Sequence, residues 1–245
     1  MSEIERNLRG VRERIAEAAL RSGRQPEQVR LVAISKTVPV VAVVRAYHAG
    51  QRDFGENRVE EGAPKIAAVE AALGEAERPT WHMVGHIQSR KAADVAAAFD
   101  YVHSLDRAKL AERLSRYLSP EDLPLPVLLE CNVSGEETKF GFDLAGWERD
   151  PGRLATFCEE VARILSLPNL SVQGLMTMAP WVADPETVRP VFASLRALRD
   201  VLRERFPALG WPELSMGMTD DFEVAIEEGA TMVRIGRAIF GQRPE

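Results

Sequence analysis

A lysine closes the apolar run Leu31-Val32-Ala33-Ile34-Ser35-Lys36. Runs of this length, rich in Val and Ile, suit a parallel strand covered on both faces. At the end of such a strand the stem of Lys36 stays buried while its amine meets the cavity beyond. Desolvation lowers an amine's pKa, and a neutral amine attacks a carbonyl carbon to form a Schiff base. The plainer alternative is a lysine that simply leaves the strand for solvent, and for an isolated lysine it is the commoner one. Other residues shift that balance. Ser215 and Gly217 precede a helix expected to start near Thr219, and Gly236 and Arg237 follow a strand that carries Arg234. Glycine lets backbone N–H groups approach a ligand, and helix N-termini favour anions. Ser215, Gly217, Thr219, Gly236 and Arg237 are therefore candidates for holding a phosphate. Two ordinary strand-to-helix turns with an N-cap would leave the same residues.

These residues need a scaffold that brings them together. Residues 2–22 have helical spacing, with Ile4, Leu8, Val11, Ile15 and Ala18 on one face and Gly23 as a stop. Beyond them, strand and helix alternate with short connections. Strands are expected at Leu31–Ser35, around Phe54, at Trp81–Gly85, Asp100–Ser104, Pro126–Val133, Leu170–Met176 and Leu214–Met216, and at Thr231–Gly236. Helices are expected from Pro39 to His48, over 58–72 and from Ser89 to Phe99. Others follow Asp106 as a cap, fill 151–166, start at Asp184-Pro185-Glu186, or are capped by Thr219 and ended by Gly229. Residues 134–142 read as a polar, glycine-containing loop. Eight strands alternating with helices predict an α/β fold, a single (β/α)8 TIM-type barrel. The 245 residues form one domain in this reading, with 1–23 an extra helix packed outside and 31–241 the barrel. Active sites of such barrels lie at the C-terminal strand ends. Reading those ends in order brings Lys36, Asn57, His86, Asn132, Ser215 and Arg234 to one mouth.

Composition narrows the function. Charged residues make up 28% and the formal net charge is -6, with no lysine/arginine block, so nucleic acid is not an expected partner. The two cysteines, Cys131 and Cys158, lack metal-type spacing and fit reduced thiols. No apolar run is long enough to span a membrane, and the charged N-terminus has no signal core, so a cytoplasmic location is expected.

A reactive lysine facing a phosphate cradle suits pyridoxal 5′-phosphate (PLP), which carries an aldehyde for Lys36 and a phosphate for the far rim. Arg234 would then lie under the ring. Arginine does not give up its proton, so it keeps a pyridine nitrogen unprotonated and weakens the electron sink. That disfavours decarboxylation and transamination more than racemisation.

Several motifs occur together in order: Ala33-Ile34-Ser35-Lys36-Thr37, Phe54-Gly55-Glu56-Asn57, Trp81-His82 with Gly85-His86-Ile87-Gln88, Asn132 through Lys139, Gly174-Leu175-Met176, Leu214 through Met218, and Val233-Arg234-Ile235-Gly236 through Gly241. With them the chain resembles the pyridoxal phosphate homeostasis protein family over essentially its whole length. The resemblance implies a barrel similar to the N-terminal domain of alanine racemase, with PLP held as a Schiff base. It matches Lys36 to the attachment lysine, Ser215, Gly236 and Arg237 to the phosphate side, and Arg234 to the pyridine nitrogen. Asn57 and His86 fall on motifs near the ring, and Lys139 on a motif implicated in PLP handling. The implied role is to hold and deliver PLP in vitamin B6 balance, with PLP-dependent apo-enzymes as recipients and no robust catalysis. Two positions depart from the family pattern: Arg90 stands where asparagine is usual, and Thr219 where serine is common.

The alternative is a PLP-dependent amino-acid racemase of weak activity. Two-base racemisation needs a second acid/base, a tyrosine from another domain in alanine racemase. The sequence ends at Glu245 just after strand eight, so no such domain is expected, and a monomer follows. Tyr47, Tyr101 and Tyr117 are expected away from the mouth.

Overall fold

The computed structural model describes residues 1–242; the last three residues of the expected domain lie outside them. Eight parallel strands close on themselves: β1 (Arg30–Ile34), β2 (Asp53–Glu56), β3 (Thr80–Met83), β4 (Tyr101–Leu105), β5 (Leu125–Asn132), β7 (Leu170–Met176), β8 (Glu213–Ser215) and β9 (Met232–Ile235). The ring shuts where β1 pairs β9, with Val32 opposite Arg234, and runs on through β4 beside β5. A two-residue strand, β6 (Phe142–Asp143), pairs with β5 outside the ring and interrupts the expected loop.

Side chains alternate across the wall, as a pleated strand requires. On β5, Val127, Leu129 and Cys131 pack outward into the main core under the helices, while Leu128 joins Tyr101, Met176 and Met232 in a small cluster inside the ring. The remaining inward positions are largely polar, among them His82, His103, Glu130, Ser215 and Arg234, all buried.

The outer layer follows the sequence pattern. It consists of α2 (Val40–His48), α3 (Val59–Leu73), α4 (Ala92–Ala98), α5 (Ala108–Tyr117), α6 (Pro151–Leu165), α7 (Arg189–Arg205), α8 (Phe222–Glu227) and α9 (Arg237–Phe240). The extra helix, α1 (Glu3–Arg21), opens with a capping box between Ser2 and Glu5 and buries Leu8, Val11 and Ile15. It crosses the seam of the ring: Arg14 and Arg21 pair with Glu223 and Glu227 of α8, and Asn7 Nδ2 donates to the Ile239 carbonyl of α9.

Two expected caps are corrected. The helix after β4 starts at Ala108 with Arg107 as its N-cap, and Asp106 turns its carboxylate toward His86 and Arg107 instead. The helix after β8 starts at Phe222, so Thr219 sits in the preceding turn and caps nothing; Asp221 Oδ1 accepts from the Met218 N–H at 2.6 Å. In both turns the carboxylate takes partners other than the helix-end N–H groups, and neither helix has a side-chain cap. Among the described residues, no helix is long and apolar enough to cross a membrane.

Candidate functional site

The C-terminal ends of the strands surround a cavity of about 970 Å³. Lys36, Asn57, His86 and Thr219 line it, as do Arg234, Gly236 and Arg237. Lys36 sits half-buried in the turn after β1. The next residue, Thr37, has φ of 63°, a left-handed conformation that costs an L-residue on the order of 1–2 kcal/mol. Gly236 lets β9 turn close to β1: a Cβ there would lie 3.2 Å from the Ile34 carbonyl oxygen, a tight contact.

Ser215 and Gly217, expected on the phosphate side, are not among the residues that line the cavity. Gly217 is structural: its φ is +94° and an added Cβ would lie 2.6 Å from the Ala225 Cβ. Ser215 faces into the ring beneath Arg234. Its Oγ accepts from Arg234 Nη1 at 2.5 Å, while Arg234 Nη2 donates to the Thr177 carbonyl at 2.8 Å. Arg237 faces the cavity but is paired with Asp220, so a carboxylate already stands in the expected anion cradle.

Ser215 belongs to a hydrogen-bonded chain that crosses the ring. His103 Nδ1 lies 2.8 Å from Ser215 Oγ, His82 Nδ1 lies 2.9 Å from His103 Nε2, and Asp53 Oδ1 lies 3.0 Å from His82 Nε2. The two ends fix its direction. Arginine only donates and an ionised aspartate only accepts. With both imidazoles neutral, every proton then points one way: Arg234 to Ser215, Ser215 to His103, His103 to His82, His82 to Asp53. Burial, followed by the charges of His82, Arg234 and Arg30, holds the His103 imidazole well below its ordinary value, in keeping with a neutral ring. The one Ser215 proton is committed downward, which leaves this hydroxyl an acceptor for Arg234. Burial lowers Arg234 itself to about 10, opposed by the carboxyls of Asp221 and Glu130.

Two acidic groups beneath the mouth escape motif reading. Glu130 is buried on β5, and its Oε2 has no hydrogen-bond partner. Burial and then the Asp106 carboxylate push it up to about 7, against the pull of Arg234. Asp106 Oδ2 lies 3.0 Å from His86 Nδ1, at ion-pair distance but without hydrogen-bond alignment. The His86 ring also stacks on Phe140, with 3.7 Å between centroids and 16° between planes. Residues 134–141 are thereby drawn over one side of the mouth. In the same segment Lys139 donates to the Met178 carbonyl at 3.0 Å and pairs with Glu136. Arg90 Nε donates to Gln88 Oε1 at 3.0 Å on the surface.

Fold and site together define the class: the chain belongs to the alanine racemase N-terminal domain family, whose model matches residues 2–244. Within that class its full-length likeness is to pyridoxal phosphate homeostasis proteins. It is 43% identical over 244 residues to the one from Vibrio alginolyticus, covering 99% of each chain, and 42% identical over 247 residues to that of Escherichia coli strain K12. The crystal structure of PipY of Synechococcus elongatus with PLP bound matches with a TM-score of 0.75 and 35% identity, covering 93% of this chain and 100% of that one. Alanine racemase from Corynebacterium glutamicum shares the fold, with a TM-score of 0.65 and 16% identity, and this chain covers 61% of it.

Proposed function

We propose that this chain binds PLP in the mouth of the barrel through Lys36 and serves PLP homeostasis as a carrier or regulator. The observation that carries the reading is the placement of Lys36 and the buried Arg234 on one cavity, with Gly236 and Arg237 on the same rim. The donor set fits the cofactor: an amine for an aldehyde, a donor-only guanidinium for a ring nitrogen, and a glycine turn with an arginine for a phosphate. The likeness to PipY with PLP bound supports it. When bound, PLP supplies the aldehyde that captures amines. Lys36 supplies the amine nitrogen. Arg234 presents a permanent positive charge that its chain to Asp53 holds in place. Asn57, His86 and Thr219 complete the wall, and Phe140 screens one side from water. With Ser215 turned inward, the phosphate falls to the rim of Thr219, Gly236 and Arg237, where a phosphate would compete with Asp220 for Arg237.

The reading disfavours racemisation, because no tyrosine among the described residues reaches the cavity to act as the second acid/base. The Tyr47 hydroxyl donates to the Glu77 carbonyl among the outer helices, Tyr101 lies at the far end of the ring, and Tyr117 is exposed on α5. None of the three lines the cavity. The finer parts of the reading are delivery to PLP-dependent apo-enzymes, a monomeric state and a cytoplasmic location; the free, buried Cys131 and Cys158 suit a reducing compartment.

Borohydride reduction of PLP-treated protein followed by peptide mass mapping tests the reading. A pyridoxyl group on Lys36 is expected, and an unmodified Lys36 would overturn it.

A further inference from the structure

Glu61 and Lys65 lie one helical turn apart at the start of α3, outside the ring and against the turn that carries Lys36. Lys65 Nζ donates to the Ser35 carbonyl at 2.6 Å. Glu61 Oε1 accepts from the Thr37 backbone N–H at 2.5 Å. The two side chains pair with each other at 2.9 Å. One ion pair thus grips the backbone on both sides of Lys36.

Glu56, at the end of β2, anchors that pair from inside. Its Oε1 is 2.9 Å from Lys65 Nζ and 2.7 Å from Ser35 Oγ. The Lys65 and Glu56 side chains are 8% and 0% exposed. Burial alone would raise Glu61, but hydrogen bonds from Lys65 and from the Thr37 N–H outweigh it and hold this carboxyl below its ordinary value. It therefore stays an ionised acceptor. A left-handed φ is an outlier for a β-branched residue such as Thr37, and such conformations persist only where the surroundings over-determine them. The bond to Glu61 restrains that residue from outside the turn, beside the local bond from the Thr37 hydroxyl to the Lys36 carbonyl at 2.6 Å. Neither Glu61 nor Lys65 lines the cavity, so whatever they do to a ligand they do through Lys36.

We propose that Glu61 and Lys65 are positioning residues for Lys36, fixing the turn so that its amine meets an aldehyde in the cavity at a productive angle. The inference rests on the PLP reading. In the attachment, the neutral amine nitrogen adds to the aldehyde carbon, and the aldehyde oxygen leaves as water with both nitrogen protons. Small misplacements of reacting groups cost large factors in rate.

The test separates attachment from simple binding. Glu61→Ala keeps the Lys65–Glu56 pair and so preserves the fold, Glu61→Gln keeps an acceptor for Thr37, and Lys65→Met removes the central cation. PLP attachment is followed by absorbance and by borohydride trapping at Lys36. Pyridoxine 5′-phosphate, which has an alcohol in place of the aldehyde, reports binding without attachment. Exchange of the Thr37 amide in ligand-free protein reports the clamp itself. Glu61→Ala should slow attachment on the order of tenfold or more and speed Thr37 exchange, while pyridoxine 5′-phosphate binds within about twofold of wild type. Glu61→Gln should fall between Glu61→Ala and wild type. Attachment at the wild-type rate in both Glu61→Ala and Lys65→Met would overturn the positioning role, and so would an equal loss of attachment and of pyridoxine 5′-phosphate affinity. Failure of the wild-type protein to trap PLP on Lys36 would instead overturn the cofactor reading, and this inference with it.

Discussion

His103 is the middle link between the arginine at the mouth and the aspartate at the far end of the ring, and removing it tests whether the chain is a real structural unit. His103→Leu is close in size and deletes both of its hydrogen bonds, those at 2.8 Å to Ser215 and 2.9 Å to His82. The Ser215 proton and His82 Nδ1 are then buried without partners. At about 1–3 kcal/mol for each orphaned buried group, the loss is roughly 2–6 kcal/mol, a large part of the ~5–15 kcal/mol that holds a typical domain together. Glutamine at this position has an N–H for His82 and a carbonyl for Ser215, so His103→Gln should cost less than half as much. Urea unfolding at pH 7.5, with an unchanged denaturant slope, measures both. A leucine variant within about 0.5 kcal/mol of wild type, or a glutamine variant as damaged as the leucine one, refutes the directional chain. The same residue predicts a pH effect. His103 is held below its ordinary 6.5, first by burial and then by His82, Arg234 and Arg30, so the folded state keeps it neutral where the unfolded chain protonates it. That contribution is fully present above about pH 6.5 and is lost as pH falls below it, by up to about 1.4 kcal/mol per pH unit. His103→Gln should flatten this slope; an unchanged slope would assign it elsewhere.

Glu130 should act with the opposite sign. Its folded value of about 7 lies above the ordinary 4.5, so the folded state binds the extra proton and stability is lost as pH rises through that window; Glu130→Gln should be neutral at pH 4 and stabilising by roughly 3 kcal/mol at most at pH 8, and equal stability at both pH values would contradict the burial of this carboxyl. Lys36→Ala should abolish covalent PLP attachment with little loss of fold and leave weaker, non-covalent PLP binding; a wild-type absorption spectrum in that variant removes Lys36 from the site. Arg234→Met leaves Ser215 Oγ and the Thr177 carbonyl without their donor, and should both weaken PLP binding and alter the bound cofactor's spectrum; wild-type values for both would place the arginine elsewhere.

The elements that carry periodic burial were readable from the chain alone. Lys36 after Val32-Ala33-Ile34, and Arg234 inside a short apolar strand before Gly236, announce the mouth because strand ends and glycine turns are local features. Ser215 shows where that reading stops. A serine before a glycine turn looks like a phosphate ligand, but the side of the wall it faces is set by closure of the ring, and its partner His103 is 112 residues away. His82 and His103 could have been noticed as polar residues at inward positions of apolar strands. Their bond to each other could not, because register between neighbouring strands is not written in either one. Asp106 and Thr219 had the right types for caps; Asp106 turned to His86 and Arg107 instead, and the helix after β8 starts beyond Thr219. The Glu61–Lys65 spacing marks a helical pair, but nothing in it says that the pair closes on Ser35 and Thr37.

The seam helix has a consequence for how the chain is made. Leu8, Val11 and Ile15 are synthesised long before the partners that hold α1 at the seam, Glu223, Glu227 and Ile239, more than 200 residues later. Arg12 of α1 reaches the Ala49 carbonyl and Gln51 early, but the bonds to α8 and α9 wait for the last strand and its helix, and contacts of such sequence separation are slow to form. Ring closure and completion of the α1 contacts thus become one late event. A released chain truncated before Phe222 should leave the α8-facing side of α1 open to proteases, while one extending past Gly241 should protect it.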